Sequence, residues 1–190
     1  TSYSRCSAFY CFIQDIEPYP NGFAVRFPFD LDSGAMRPRL HPIDNQVYIT
    51  CHKGWDTTAP LDGVIYRVRH AEEDMVGVCD ASVSGSGIRL TFAADLDPAS
   101  VKSSAFRAFR EDDSKKGPEP PAYELGKAHL INPRTVEINV PDISKEALSD
   151  RTDEKGNVSV EPPISLSYKL RSKNGTTFEQ TIYATINSIP

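Results

Sequence analysis

Residues 164–186, ISLSYKLRSKNGTTFEQTIYATI, contain the clearest structural signal in the chain. Apolar and polar side chains alternate on both sides of Lys173-Asn174-Gly175, as they do in half-buried strands. An Asn-Gly pair between such strands is the strongest short-range signal for a hairpin, because both residues tolerate positive φ angles. We therefore predict a hairpin of two strands, Ile164–Leu170 and Thr177–Ile186.

The composition of the whole chain favours strands over helices. Val, Ile and Thr number 36 among 190 residues, against 10 Leu, and β-branched side chains suit a pleated sheet. The 15 prolines follow one another at short intervals, which limits the length of any helix. We expect an all-β chain.

The charge balance excludes some classes of function. There are 26 acidic and 21 basic residues, for a net charge of -5, whereas a general nucleic-acid binder needs a cationic field. We therefore expect no nucleic-acid partner. The apolar runs are only a few residues long, so we also expect no membrane span.

The spacing of strands and turns predicts that the chain has two sections. Residues 1–72 contain five short strands with polar turns, which is typical of a β-meander or propeller blade. Their predicted bounds are Ala8–Ile16, Phe23–Phe29, Met36–Leu40, Val47–Cys51 and Gly63–His70.

Residues 73–190 contain about seven strands with regular turns, which indicates an immunoglobulin-like β-sandwich. Asp97-Pro98 predicts an N-cap followed by one short helical turn. Eleven residues are predicted to face the sandwich core: Ile88, Leu90, Phe92, Val136, Ile138, Val140, Ile164, Leu166, Tyr168, Ile182 and Ile186.

Four cysteines stand at positions 6, 11, 51 and 79, and their spacing leaves their state open. One or more disulfides, four buried thiols and a metal site are all compatible with Cys6, Cys11, Cys51 and Cys79. Cys51-His52 resembles the end of a c-type haem attachment site, but Tyr48 stands where the other cysteine would be. We expect no covalent haem and no metal in this chain.

We find no complete set of catalytic residues in the sequence, so we predict no catalytic residue. Trp55, the only tryptophan, suits either a packing plug or a stacking platform for a ligand. Trp55, His52 and Tyr66 are the candidates for stacking on a sugar ring.

An ordered series of motifs resembles a known family. GAMRPRLHP (34–42), DNQVYI (44–49), DGVIYRVRH (62–70) and LTFAADLDP (90–98) are followed by a terminal YATI at 183–186. Together they resemble, over nearly the whole chain, the C-terminal region of planctomycete-type membrane-bound dehydrogenase or sorbosone dehydrogenase-like proteins. These are secreted bacterial β-propellers, often fused to cytochrome c.

The resemblance implies a non-catalytic C-terminal fragment or subunit that completes a propeller, with a blade-like segment at 1–72 and a sandwich at 73–190. It implies a partner, either another chain or the remainder of the propeller, and a periplasmic or extracellular location. Haem c or a quinone would belong to the parent assembly. Two alternatives stay open: a carbohydrate- or surface-binding module, and a part of the active assembly of a quinone- or haem-linked sugar dehydrogenase.

Overall fold

The computed structural model describes residues 6–54, 58–69, 76–110, 122–141, 143 and 163–190. These residues form twelve β-strands and two short 3₁₀ turns, so the prediction of an all-β chain is confirmed. The strands are β1 (Ser7–Gln14), β2 (Asn21–Asp30), β3 (Gly34–Leu40), β4 (Val47–His52), β5 (Gly63–Val68), β6 (Val78–Ser84), β7 (Gly87–Phe92), β8 (Phe106–Arg110), β9 (Ala128–Asn132), β10 (Thr135–Asn139), β11 (Ile164–Arg171) and β12 (Thr177–Thr185).

The hairpin predicted from residues 164–186 is present. Strands β11 and β12 pair in antiparallel register from Ile164 opposite Ala184 to Arg171 opposite Thr177. Gly175 has a φ of 92°, a left-handed conformation that glycine adopts without steric cost. The short helical turn is confirmed as well, because the Asp97 side chain accepts a hydrogen bond from the Ala99 amide.

The strands belong to three antiparallel sheets. Their strand orders are β1-β2-β12-β11-β8, β6-β7-β10-β9 and β3-β4-β5. Strand β6 was not predicted, because the register shift between Val78 and Asp80 interrupts its alternation and four of its seven residues are Cys, Asp or Ser. In the described part of the chain no helix is long and apolar enough to cross a membrane.

The chain divides into two compact units. The first contains Thr1–Tyr10 and Arg26–Asp74, and the second contains Cys11–Val25 and Met75–Pro190. Strands β1 and β2 therefore contribute residues to both units. The predicted boundary between residues 72 and 73 lies outside the described residues.

The second unit buries the apolar faces of two sheets against each other. Phe92 of β7 contacts the rings of Tyr168 in β11 and Phe178 in β12, with centroid distances of 5.4 and 5.7 Å. All eleven residues predicted to face this core are buried, with exposures of at most 6%. Phe23 and Val25 of β2 also belong to the second unit and are buried.

The first unit has a smaller core beneath the β3-β4-β5 meander. Its buried members are Cys6, Ala8, Leu31, Ala35, Ile49, Cys51 and Ala59. Alternate residues of β5, namely Val64, Tyr66 and Val68, pack against this cluster. Strand β3 lies at an edge of the meander and contains Pro38, opposite Ile49 of β4.

Two side-chain amides connect distant segments of the second unit. The fully buried Asn21 accepts hydrogen bonds at Oδ1 from the backbone amides of Asn187 and Ser188, at 2.7 and 2.9 Å. Its Nδ2 donates to Ser188 O and to Gln14 Oε1. Gln14 in turn exchanges two hydrogen bonds with the backbone of Val83 in β6.

We predict that Asn21→Ala lowers the free energy of unfolding by about 2–3 kcal/mol, because it leaves buried backbone donors without an acceptor. Asn132→Ala is the matched control. The exposed Asn132 side chain also makes hydrogen bonds, but its partners Thr135 and Arg134 can bond to water instead. Urea unfolding of both variants measures the difference, and equal losses would contradict the role assigned to Asn21.

Candidate functional site

The outer face of the β3-β4-β5 meander contains three exposed arginines. Alternation directs Val47, Ile49 and Cys51 of β4 inward, so the residues between them point outward. We call this outward surface the arginine face. It consists of Arg37 and Arg39 of β3, Tyr48, Thr50 and His52 of β4, and Ile65 and Arg67 of β5.

Strand register arranges the arginine face in transverse rows. Arg39 and Arg67 lie opposite Tyr48 on its two sides, so the tyrosine lies between two arginines in the strand register. In the next row Arg37 and Ile65 flank Thr50. Neighbouring strands are about 4.8 Å apart, which puts the backbones of Arg39 and Arg67 about 10 Å from each other.

Asp44 fixes the hydroxyl end of Tyr48. Tyr48 Oη donates to Asp44 Oδ2 at 2.9 Å, and His41 Nδ1 lies 3.1 Å from Asp44 Oδ1. The backbone amide of Gln46 donates to the same carboxylate, and this bond, followed by those from Tyr48 and His41, lowers the pKa of Asp44. The carboxylate is thus ionised and already occupied by three donors.

Few of the described residues bond to the three arginines of this face. Within the residues that the structure describes, no carboxylate forms an ion pair with Arg37, Arg39 or Arg67. Arg39 donates only to the neighbouring carbonyl of Pro38, at 2.8 Å. All three side chains are exposed. Guanidinium groups recognise carboxylates, sulfates and phosphates through paired N–H donors.

The three residues predicted to contact a sugar ring have different positions. His52 is exposed on the arginine face, between Gly34 and Gly63. Tyr66 lies opposite Ile49 on the inner face, so the structure does not bring it together with His52. Trp55 lies outside the described residues. The ligand-binding role of these residues stays a prediction.

Tyr66 has a structural role. Its hydroxyl donates to Asp32 Oδ2 at 2.5 Å and accepts the Asp32 amide at 2.8 Å, which attaches the β2–β3 turn to β5. Burial, and then the hydrogen bond to Asp32, raises the pKa of this phenol. The neutral, hydrogen-bonded form therefore persists throughout the physiological range.

Sequence reasoning missed the arginines. The signal was present in Arg37-Pro38-Arg39 and Arg67-Val68-Arg69, where alternate positions of two predicted strands are cationic. Period-two alternation places such residues on one face. What the sequence alone did not show is that β4 pairs with both strands and carries Tyr48 between them.

A second polar cluster surrounds Glu137 on the outer face of the β6-β7-β10-β9 sheet. Ser84 Oγ donates to Glu137 Oε1 at 2.6 Å, and Arg89 Nη2 lies 3.3 Å from the same oxygen. His129 Nε2 is 3.8 Å from Oε2. The bond from Ser84, together with the charges of Arg89 and His129, lowers the pKa of Glu137. The carboxylate is thus held as an anion within a cross-strand network.

We predict that Glu137→Gln destabilises the chain at pH 7 by about 1–2 kcal/mol, through loss of charge-assisted hydrogen bonds. The folded-state pKa lies below the ordinary value of 4.5, so the carboxylate stabilises the fold above pH 4.5. This stabilisation is lost as the pH falls through the folded-state pKa, and the difference between wild type and variant should shrink there. Thermal unfolding between pH 3 and 7 tests this.

The control for Glu137 is Glu179→Gln. Glu179 pairs with Lys169 at 3.6 Å on an exposed surface, where an ion pair contributes little. This variant should show almost no loss of stability at any pH. A difference between wild type and Glu137→Gln that stays constant with pH would contradict the assignment.

A cavity of about 340 Å³ in the second unit contains two acidic side chains, Asp95 and Asp97, beside Lys173. Both carboxylates are already paired, Asp95 with Arg134 at 2.7 Å and Asp97 with the guanidinium of Arg171. Across the described ranges no three His, Cys, Asp or Glu residues are grouped as a metal site would require. The arginine face is therefore the best candidate site.

Comparison with known protein families, with curated proteins and with solved structures gave no match.

Proposed function

We propose that the chain is a non-catalytic binding module and that its arginine face binds an acidic carbohydrate chain. The observation that carries this proposal is the row Arg39–Tyr48–Arg67, in which a tyrosine lies between two exposed arginines that have no carboxylate partners among the described residues. A sugar ring contacts the aromatic surface, and its carboxylate or sulfate groups take the paired donors.

The shape of the face favours a polymer over a single sugar. The second row adds Arg37, Thr50 and Ile65, and His52 follows beyond them, so polar and apolar groups continue across the meander. An open sheet surface encloses no small ligand, whereas several weak contacts along a chain add up through effective concentration. The successive acidic groups of a repeating saccharide pair with the successive arginines of this surface.

The charge of the protein argues against nucleic acid as the occupant. The whole chain carries a net charge of -5, which repels a polyanion of high charge density except at this face. Nucleic-acid binders displace many counterions with a broad cationic surface. A saccharide with at most one acidic group per ring has a lower charge density than duplex DNA, which carries one charge per about 1.7 Å of its axis.

We predict that the double variant Arg39→Ala/Arg67→Ala weakens binding to sodium polygalacturonate at least tenfold and leaves the thermal midpoint nearly unchanged, because both side chains are exposed. Calorimetry at low and at physiological salt measures the affinity, and binding of the wild type should weaken as salt rises. The control is Arg107→Ala, which removes an exposed arginine from β8 in the second unit.

Three outcomes would contradict the proposal: equal binding of neutral dextran, equal loss of affinity in Arg107→Ala, or tighter binding of a single-stranded DNA oligonucleotide than of polygalacturonate.

A second candidate function is assembly into a dehydrogenase-like propeller, as the family resemblance implies. Exposed apolar side chains favour it, because a monomeric surface rarely gathers many of them. Among the described residues, six of the nine large exposed hydrophobic side chains belong to the first unit: Phe29, Met36, Leu40, Ile43, Leu61 and Ile65.

In this proposal the first unit acts as a blade, the second as an immunoglobulin-like sandwich, and the location is periplasmic or extracellular. Haem c or a quinone would be held elsewhere in the assembly.

The assembly proposal is tested on the encoding gene. Propeller blades recur at a fixed period of about 40–50 residues, so the sequence encoded upstream of Thr1 should contain several such repeats. An upstream region without any repeat of this kind would contradict it. Binding of polygalacturonate by the isolated chain is independent of this result, so the two candidate functions can fail separately.

A further inference from the structure

Two of the four cysteines are buried together in the first unit. Cys6 is 4% exposed and Cys51 is 8% exposed, and both belong to the same core cluster. The carbonyl of Cys6 accepts a hydrogen bond from the Leu31 amide at 2.8 Å, and Cys51 lies opposite Ala35 in the meander. We propose that Cys6 and Cys51 form an intrachain disulfide bond in this core.

The electrostatics of the pair support its closeness. Burial raises the pKa of the Cys51 thiol, and the neighbouring Cys6 raises it further. This direction is consistent with the position of both residues in the same buried cluster. In the structure both cysteines are free thiols, and Cys51 Sγ donates to the Ile49 carbonyl oxygen at 3.8 Å.

The size of the core explains what the bond would contribute. Of the seven buried members of the cluster, only Leu31 and Ile49 are large aliphatic residues, and three are alanines. Small units with little apolar burial depend on cross-links for stability. A bond from residue 6 to residue 51 closes a covalent loop that contains strands β1 to β3 and most of β4, which restricts the unfolded state strongly.

The bond forms by thiol–disulfide exchange with a small-molecule disulfide such as glutathione disulfide. One cysteine thiolate attacks the glutathione disulfide, its S–S bond breaks, and one glutathione leaves as a thiol. The second protein thiolate then attacks the mixed disulfide and releases the other glutathione. Two protein thiols lose two electrons and two protons, and one small disulfide is reduced to two thiols. Because both cysteines are shielded in the folded state, the exchange takes place before the core closes.

The other two cysteines supply the matched control. Cys11 and Cys79 are exposed, and both belong to the second unit. The double variant Cys11→Ser/Cys79→Ser keeps only the proposed pair, and Cys6→Ser/Cys51→Ser keeps only the exposed cysteines. Each full-length variant is unfolded under reducing conditions and refolded in a mixture of reduced and oxidised glutathione.

We expect the variant that keeps Cys6 and Cys51 to lose both titratable thiols, as measured by Ellman's reagent after denaturation. Peptide mapping without reductant should recover a cross-linked pair containing these two residues. The thermal midpoint should rise by about 5–10 °C over the reduced form. The variant that keeps Cys11 and Cys79 should retain both thiols and show no such rise.

Other results would overturn the proposal. Both thiols of Cys6 and Cys51 could remain free after refolding, each could carry glutathione, or they could link one chain to another. The wild-type chain is refolded in the same way, so that misfolding of a variant is not mistaken for absence of the bond. A bond from Cys51 to Cys11 or Cys79 in the wild-type peptide map would also contradict the pairing.

Discussion

The hydrogen-bonded amides of Gln14 and Asn21 are the constraint on which the second unit depends. They join the end of β1, the start of β2, strand β6 and the C-terminal segment at Asn187 and Ser188. This fixes the register in which β2 pairs with β12, with Val25 opposite Ile182. The N-terminal hairpin thereby becomes part of a five-stranded sheet whose other strands are β12 and β11, from the end of the chain, and β8. Without these buried polar bonds, nothing local would select that pairing.

Periodicity and turn chemistry predicted those features of the fold that have a local signal in the sequence. Alternation identified the eleven inward residues, and Asn174-Gly175 identified the hairpin. The pairing of β2 with β12 could not be predicted, because it joins segments more than 150 residues apart and has no local signature. For the same reason the arginine face was missed: its members come from three strands, and only their register brings them into rows.

The two units are stabilised by different interactions. The second buries a large apolar interior that includes aromatic contacts between Phe92, Tyr168 and Phe178. The first has few large buried side chains, so its stability rests more on backbone pairing and on bonds such as that from Tyr66 to Asp32. A meander with so small an interior has most of its residues at the surface. Because the interior is small, one face of the meander sheet stays exposed.

Pro38 in the edge strand β3 opposes aggregation at high protein concentration. An exposed edge offers a row of N–H and C=O groups on which another chain can add a strand, which is a route to aggregation. Proline has no N–H, and within sheets it is tolerated where the missing donor would face outward. The edge of β3 therefore lacks a donor in its middle, and the cationic side chains of Arg37 and Arg39 on either side repel an identical edge. The arginine face can therefore stay exposed while the adjacent edge of β3 resists pairing with the same edge of another copy of the chain.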